Sequence, residues 1–227
     1  MILKTRTDQI LTRPGMFSVT SSEELYWIFL GYCFGDGPIA KGLGVQSIVS
    51  DYGNFLCKQW NITLPHNRNW GILIRYYSQS DKDSLRLFQS TFDKFVEQAQ
   101  FTYASPINEM GQPFALGNPE GKVSFLALLD EVQPKLDHIM QLTPFELGYG
   151  MACYDYDKED PEHHFFFKNR VEFYDNILTE LHLPAGLSGI NQAYLRYYTQ
   201  PEQGISYVLT KLKTFIQERK TDSTYPR

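Results

Sequence analysis

Helical spacing of apolar residues runs through most of this chain. Ser21 and Glu24 stand at capping-box spacing and predict a helix start there, the serine accepting from the backbone amide three residues on and the glutamate reaching back. Leu25, Ile28, Phe29 and Tyr32 then form one stripe while Trp27 and Leu30 fall on another face, so this helix is expected to lie in the core until about Gly35 to Gly37. A second helix is predicted from about Val45 to Trp60, although Gly53 weakens it by roughly 1 kcal/mol relative to Ala. The stretch NWGILIRYYSQ alternates Trp70, Ile72, Ile74 and Tyr76 with more polar neighbours, the period of a half-buried strand near 70–77. Ser80 to Asp83 cap the next helix, whose Leu85, Phe88, Phe92, Phe95 and Val96 keep helical spacing.

Residues 101–122 hold three Gly and three Pro without periodicity and read as a connection or hairpin between two halves. Beyond it, an apolar helix is predicted over about Val123 to Val132, broken at Pro134, which lacks a backbone donor. An irregular acidic stretch is expected after TPFELGYG, then helices over about Asn169 to Leu181 and Ile190 to Tyr198. The last helix has Thr199 and Glu202 at capping spacing, Pro201 in its first turn, and Ile205, Val208, Leu209, Leu212, Phe215 and Ile216 on one stripe; the tail from Lys220 should fray. The predicted fold is therefore mainly α, in the α+β class through a small sheet: a helical, bundle-like body with one or a few strands. Residues 1–100 form an N-terminal segment, 101–122 the connection and 123–227 a C-terminal segment, packed as one globular unit.

Composition sharpens this. A hydrophobic content of 42% supports a real core, and 16 Phe with 15 Tyr supply large buried areas and polar-tipped rings for a partner surface. A net charge of -5 lacks the basic surplus that drives nucleic-acid binding, so no direct DNA or RNA contact is expected. Cys33, Cys57 and Cys153 are odd in number and widely spaced, which fits reduced thiols and no metal knuckle. The opening residues carry no signal-peptide pattern and no apolar run is long enough to cross a bilayer, so a cytoplasmic protein without membrane contact is expected.

Two stretches invite chemistry. Arg13-Pro14-Gly15-Met16-Phe17 is similar to a string near the start of the ATPase domain of type II topoisomerases, but the helix after it lacks the required Asn and DYGN at 51–54 lacks the second glycine. With no phosphate-binding fingerprint elsewhere, no cofactor is expected. The stretch reads as a turn: Pro14 at the second position, Gly15 at the third with positive φ, and Met16 and Phe17 inserted in the core.

The second stretch is YDYDKEDPEHHFFF, with Asp155, Asp157, Glu159, Asp160, Glu162, His163 and His164. It begins like a calcium loop but lacks the glycine and distal Glu of that pattern, and adjacent histidines point to different sides, so no metal site is expected. A hydrolase or transferase using Cys153 with His163 or His164 would rest on nearness in sequence alone, and a helical adaptor is a further alternative. Between Asp130 and Glu162, nine acidic residues face two basic ones, a local balance of -7. An acidic recognition surface steers basic partners. Tyr154 and Tyr156, interleaved with the acids, are candidate anchors for it.

Residues 8–98 resemble small bacterial immunity proteins encoded beside Rhs-type and other polymorphic toxins. The likeness rests on RPGMF, on SSEELYWIFLGYCFG and on WNITLPHNRNWGILIRYYSQSDKDSLRLFQSTFDKFVEQ. The resemblance implies a non-catalytic cytoplasmic protein that binds the C-terminal domain of a cognate toxin and serves in competition between bacteria. The expected contacts are Tyr154, Asp155, Tyr156, Asp157, Glu159, Asp160 and Glu162, and an exposed aromatic face would equally serve a homo-oligomer.

Overall fold

The computed structural model describes residues 2–35, 45–62, 69–98, 125–155 and 160–220. These are mostly helical and contain no strand. The helices are α1 (Ile2–Thr12), α2 (Ser22–Gly35), α3 (Val45–Gln59), α4 (Trp70–Tyr76), α5 (Asp81–Gln98), α6 (Phe125–Val132), α7 (Leu142–Asp155), α8 (Pro161–Glu180), α9 (Leu187–Arg196) and α10 (Pro201–Lys220). Short 3-10 turns occupy Pro14–Phe17, Gln133–Lys135 and Ile139–Gln141. The chain forms two compact units, and α7 from Pro144 onward belongs with α1 to α5 rather than with α6 and α8 to α10. The division thus departs from a simple split at the connection.

In the first unit, α2 starts with Glu24 reaching back as expected, while Ser21 accepts from the amide two residues on rather than three. The Ser21 amide donates to Glu24 at 2.9 Å and the Glu23 amide to the Ser21 hydroxyl at 3.2 Å. One residue on, the Ser22 hydroxyl donates to the Gly71 carbonyl at 2.7 Å and the Ser22 amide to the Ser84 hydroxyl at 3.0 Å, which ties the start of α2 to α4 and α5. Every residue from Trp27 to Gly35 is buried, as a helix that is apolar on all sides requires.

Two kinds of packing cover α2. Trp70, Phe88 and Phe92 stack in a column with successive centroids 5.2 Å apart, and Phe29 and Tyr52 meet it edge-on at 5.1 to 5.7 Å. Such ring pairs add about 0.5–1.5 kcal/mol each beyond area burial. The Tyr52 hydroxyl reaches Thr91 Oγ1 at 2.6 Å, which satisfies its buried polar end. Against α7 the contact is backbone on backbone. A methyl on Gly31 would stand 1.9 Å from the Phe145 carbonyl oxygen, and one on Gly148 would stand 1.9 Å from that of Ile28.

The second unit packs α8, α6 and α10 through Phe173, Phe166 and Phe125, with centroids 5.5 and 5.9 Å apart, and through Ile205, Val208, Leu209, Leu212 and Ile216. These last five are the buried members of the stripe read from sequence.

Several expectations are corrected. Residues 70–76 are helical, not a strand: the Asn69 side chain accepts from the Ile72 amide at 3.2 Å and caps a turn that alternation alone does not signal. Residues 151–155, directly after TPFELGYG, are helical rather than irregular. Gly148 is a site of close approach to α2 rather than a break, and α7 continues to Asp155. Helix α8 begins at Pro161, well before Asn169, because Asp160 and Pro161 form a strong start. The RPGMF stretch is a 3-10 turn in which Ser18, at φ 53, takes the left-handed conformation assigned to Gly15. Phe17 is half-buried against the core, while Met16 is 72% exposed. The 101–122 connection and the tail beyond Lys220 lie outside the described residues.

Gly148→Ala should lower stability by about 2 kcal/mol or more, because a backbone carbonyl cannot yield as a side chain does. Gly53→Ala, whose added methyl meets only Trp70 Cδ1 at 4.0 Å, should raise it by about 0.5–1 kcal/mol. Urea unfolding of both variants reads the contrast.

Candidate functional site

The tyrosine and acid segment singled out by sequence divides into three parts. Tyr154 and Asp155 end α7, Asp160 and Glu162 begin α8, and Tyr156, Asp157 and Glu159 lie outside the described residues. Asp155 is occupied: its oxygens accept from Arg6 Nε at 3.0 and 2.9 Å, from the Arg6 terminal nitrogen, and from the Tyr32 hydroxyl at 3.0 Å. Its side chain is only 6% exposed. Hydrogen bonding to Asp155 in turn raises the pKa of Arg6. Tyr154 is 82% exposed, with the Arg6 guanidinium 5.6 Å from its ring centroid.

Asp160 and Glu162 are helix caps. One Asp160 oxygen accepts from the Glu162 and His163 amides at 3.0 Å, opening α8, and the other accepts from the Phe125 amide at 3.0 Å, opening α6. Glu162 accepts from the Leu126 amide at 3.0 Å. Both carboxylates thereby satisfy amides that a helix start leaves without partners, and both face the positive end of the helix dipole. Of the acids expected to meet a partner, three therefore have internal work.

The nucleophile and base candidates divide between the units. Cys153 is buried on α7 in the first, whereas His163 and His164 open α8 in the second. His163 is buried edge-on to Phe125 at 5.2 Å, and His164 is exposed. Among the described residues, no three His, Cys, Asp or Glu side chains are grouped to hold a metal ion, and no helix is long and apolar enough to cross a membrane.

A surface that sequence did not single out stands on α4. As a strand, Trp70, Ile72, Ile74 and Tyr76 would share one face; as a helix they separate into two i,i+4 pairs. Trp70 and Ile74 are fully buried, while Ile72 is 49% and Tyr76 80% exposed. Tyr77, 50% exposed, continues the patch, edge-on to Tyr76 at 5.3 Å and against Trp60 at 4.9 Å. The Asn69 cap followed by two i,i+4 apolar pairs is the signal in the sequence that distinguishes this arrangement.

Carboxylates border the patch. Gly71 lies so near the start of α2 that a methyl there would come 2.8 Å from Glu23 Cα. Arg75 pairs with Asp81 at 2.5 Å. The pKa of Glu23 is raised, first by burial and then by Glu24 and Asp81, with Arg75 acting in the opposite sense.

No protein-family model matches the chain, and neither a curated protein nor a solved structure matches it.

A carboxyl whose pKa rises on folding favours the fold when protonated and opposes it once ionised, so its contribution is lost as pH climbs past 4.5. Glu23→Gln should therefore stabilise the protein at neutral pH by about 0.5 kcal/mol, allowing for solvent screening, and do nothing near about pH 3. Denaturation midpoints at the two pH values test the sign. Separately, Asp160→Ala should lose about 1–2 kcal/mol of stability, and Asp160→Asn much less, since the amide oxygen still caps.

Proposed function

We propose that this protein is an immunity protein, a non-catalytic cytoplasmic inhibitor that binds the active domain of a cognate bacterial toxin and occludes or distorts it. The observation that carries this reading is the outer face of α4. Ile72, Tyr76 and Tyr77 stand in solvent on a short helix whose inner face, Trp70 and Ile74, is locked in the aromatic core. Rings held this way lose little freedom on binding and are the usual centres of binding energy. Carboxylates stand at the starts of α2 and α5, Glu24 capping Ser21, Asp81 paired with Arg75 and Asp83 accepting from the Gln79 amide. The surplus of negative charge there suits a partner with a basic rim.

The resemblance over residues 8–98 spans this helix and supports the same role. The acidic segment enters the reading in reduced form. Asp155, Asp160 and Glu162 hold the fold, and Tyr154, next to Asp155, is an exposed ring. The reading calls for no cofactor, membrane or nucleic acid.

The test is a search of the neighbouring reading frames for a toxin, then co-expression with the C-terminal domain of any toxin found there and binding measurements. Tyr76→Ala and Ile72→Asp should each weaken binding by about 2 kcal/mol or more, roughly thirtyfold, without a change in Tm. Asp155→Asn should act mainly through stability. If both α4 variants protect cells and bind as the parent protein does, the reading fails.

A further inference from the structure

The second unit contains a cleft of about 250 Å3 that toxin binding through α4 does not use. Its walls are Asp137 and His138, just before the 3-10 turn Ile139–Gln141, and Tyr194, Tyr197 and Tyr198 at the end of α9. Tyr194 and Tyr198 are one helical turn apart and meet at 84° with centroids 5.8 Å apart, forming a corner. The His138 ring closes on Tyr194 at 5.1 Å. Tyr197 is fixed from behind: it stacks on Tyr207 at 6.2 Å and lies so close over Gly204 that an added methyl would stand 2.7 Å from its Cβ.

The carboxylate side is equally held. Buried Gln141 accepts from the backbone amides of Asp137 at 2.6 Å and His138 at 3.3 Å, which fixes the chain where Asp137 leaves it. Asp137 is exposed, and Tyr198, 65% exposed, presents a large ring to water.

The chemistry of these walls selects one class of ligand. Tyrosine faces carry negative electrostatic potential and attract cations, and they are most effective toward weakly hydrated ones. Asp137 adds a full negative charge, which disfavours anions. A hydrated divalent ion asks for several oxygen ligands, whereas the cleft offers one carboxylate and rings. Its volume is below the roughly 300–1,000 Å3 of small-molecule sites and suits a head group.

We propose that this cleft binds an organic cation, an alkylated ammonium or a guanidinium, against the faces of Tyr194, Tyr197 and Tyr198 with Asp137 as counter-charge. The cation can belong to a free small molecule or to a lysine- or arginine-derived side chain of another protein. The site is independent of the immunity reading and stands if that reading fails.

The test is a titration of the full-length protein, followed by tyrosine ring resonances, with choline, with an arginine-containing tripeptide, and with the neutral isostere 3,3-dimethylbutanol. Choline or the tripeptide should bind saturably in the millimolar range and the isostere about tenfold more weakly, the 1.4 kcal/mol that a modest cation–π contribution supplies. Asp137→Asn and Tyr198→Ala, both at exposed positions, should each weaken binding at least fivefold with Tm unchanged. Choline binding alone identifies a small-molecule site, and tripeptide binding alone a side-chain site. If neither binds, if the isostere binds equally well, or if Asp137→Asn has no effect, the proposal is overturned.

Discussion

The approach of α2 and α7 at Gly31 and Gly148 is the constraint on which the first unit depends. With no side chain between them, each glycine lets its helix rest on the other's backbone, and this draws Phe145, Tyr149 and Ala152 against α2. A helix apolar all round can then be covered on this side while its other side receives the Trp70, Phe88 and Phe92 column. The end of α7 is secured in turn by Asp155, which takes hydrogen bonds from Arg6 of α1 and Tyr32 of α2. Removing one partner of so enclosed a carboxylate leaves charge without compensation, which is why this acid serves the fold before it serves any partner.

The outward face of α4 follows from the same packing. Trp70 is gripped by Phe29, Tyr52 and Phe88, and Gly71 sits against the carbonyl of Ser22. Those contacts set the rotation of a two-turn helix, and the rotation puts Ile72 and Tyr76 in water. The exposure is thus a consequence of core packing.

Much of the helical pattern was legible because it rests on local spacing. The capping pair before α2, the stripe of α10 and the phenylalanines of α5 all read directly. The errors came where tertiary contact gives a residue type an uncommon role. Glycines at 148 and 150 look like breaks until a second helix is seen to need the space at Gly148. Alternation over seven residues fits a strand and a short helix equally well, and the Asn69 cap together with the burial pattern separates them. The acidic segment shows the same limit for charge: counting gives a surplus, yet Asp160 and Glu162 are directed at the amides that open α6 and α8. The α4 face was hidden by the strand reading, and the tyrosine cleft by the separation of Asp137 from Tyr194 to Tyr198 along the chain.

The central proposal is that the solvent face of α4 is the surface that meets a toxin partner. Hydrogen–deuterium exchange of the protein alone and with the C-terminal domain of a toxin that it neutralises in co-expression tests this directly. The account predicts added protection concentrated in residues 70–77 and the adjoining start of α5. Protection elsewhere with none over 70–77 would contradict it.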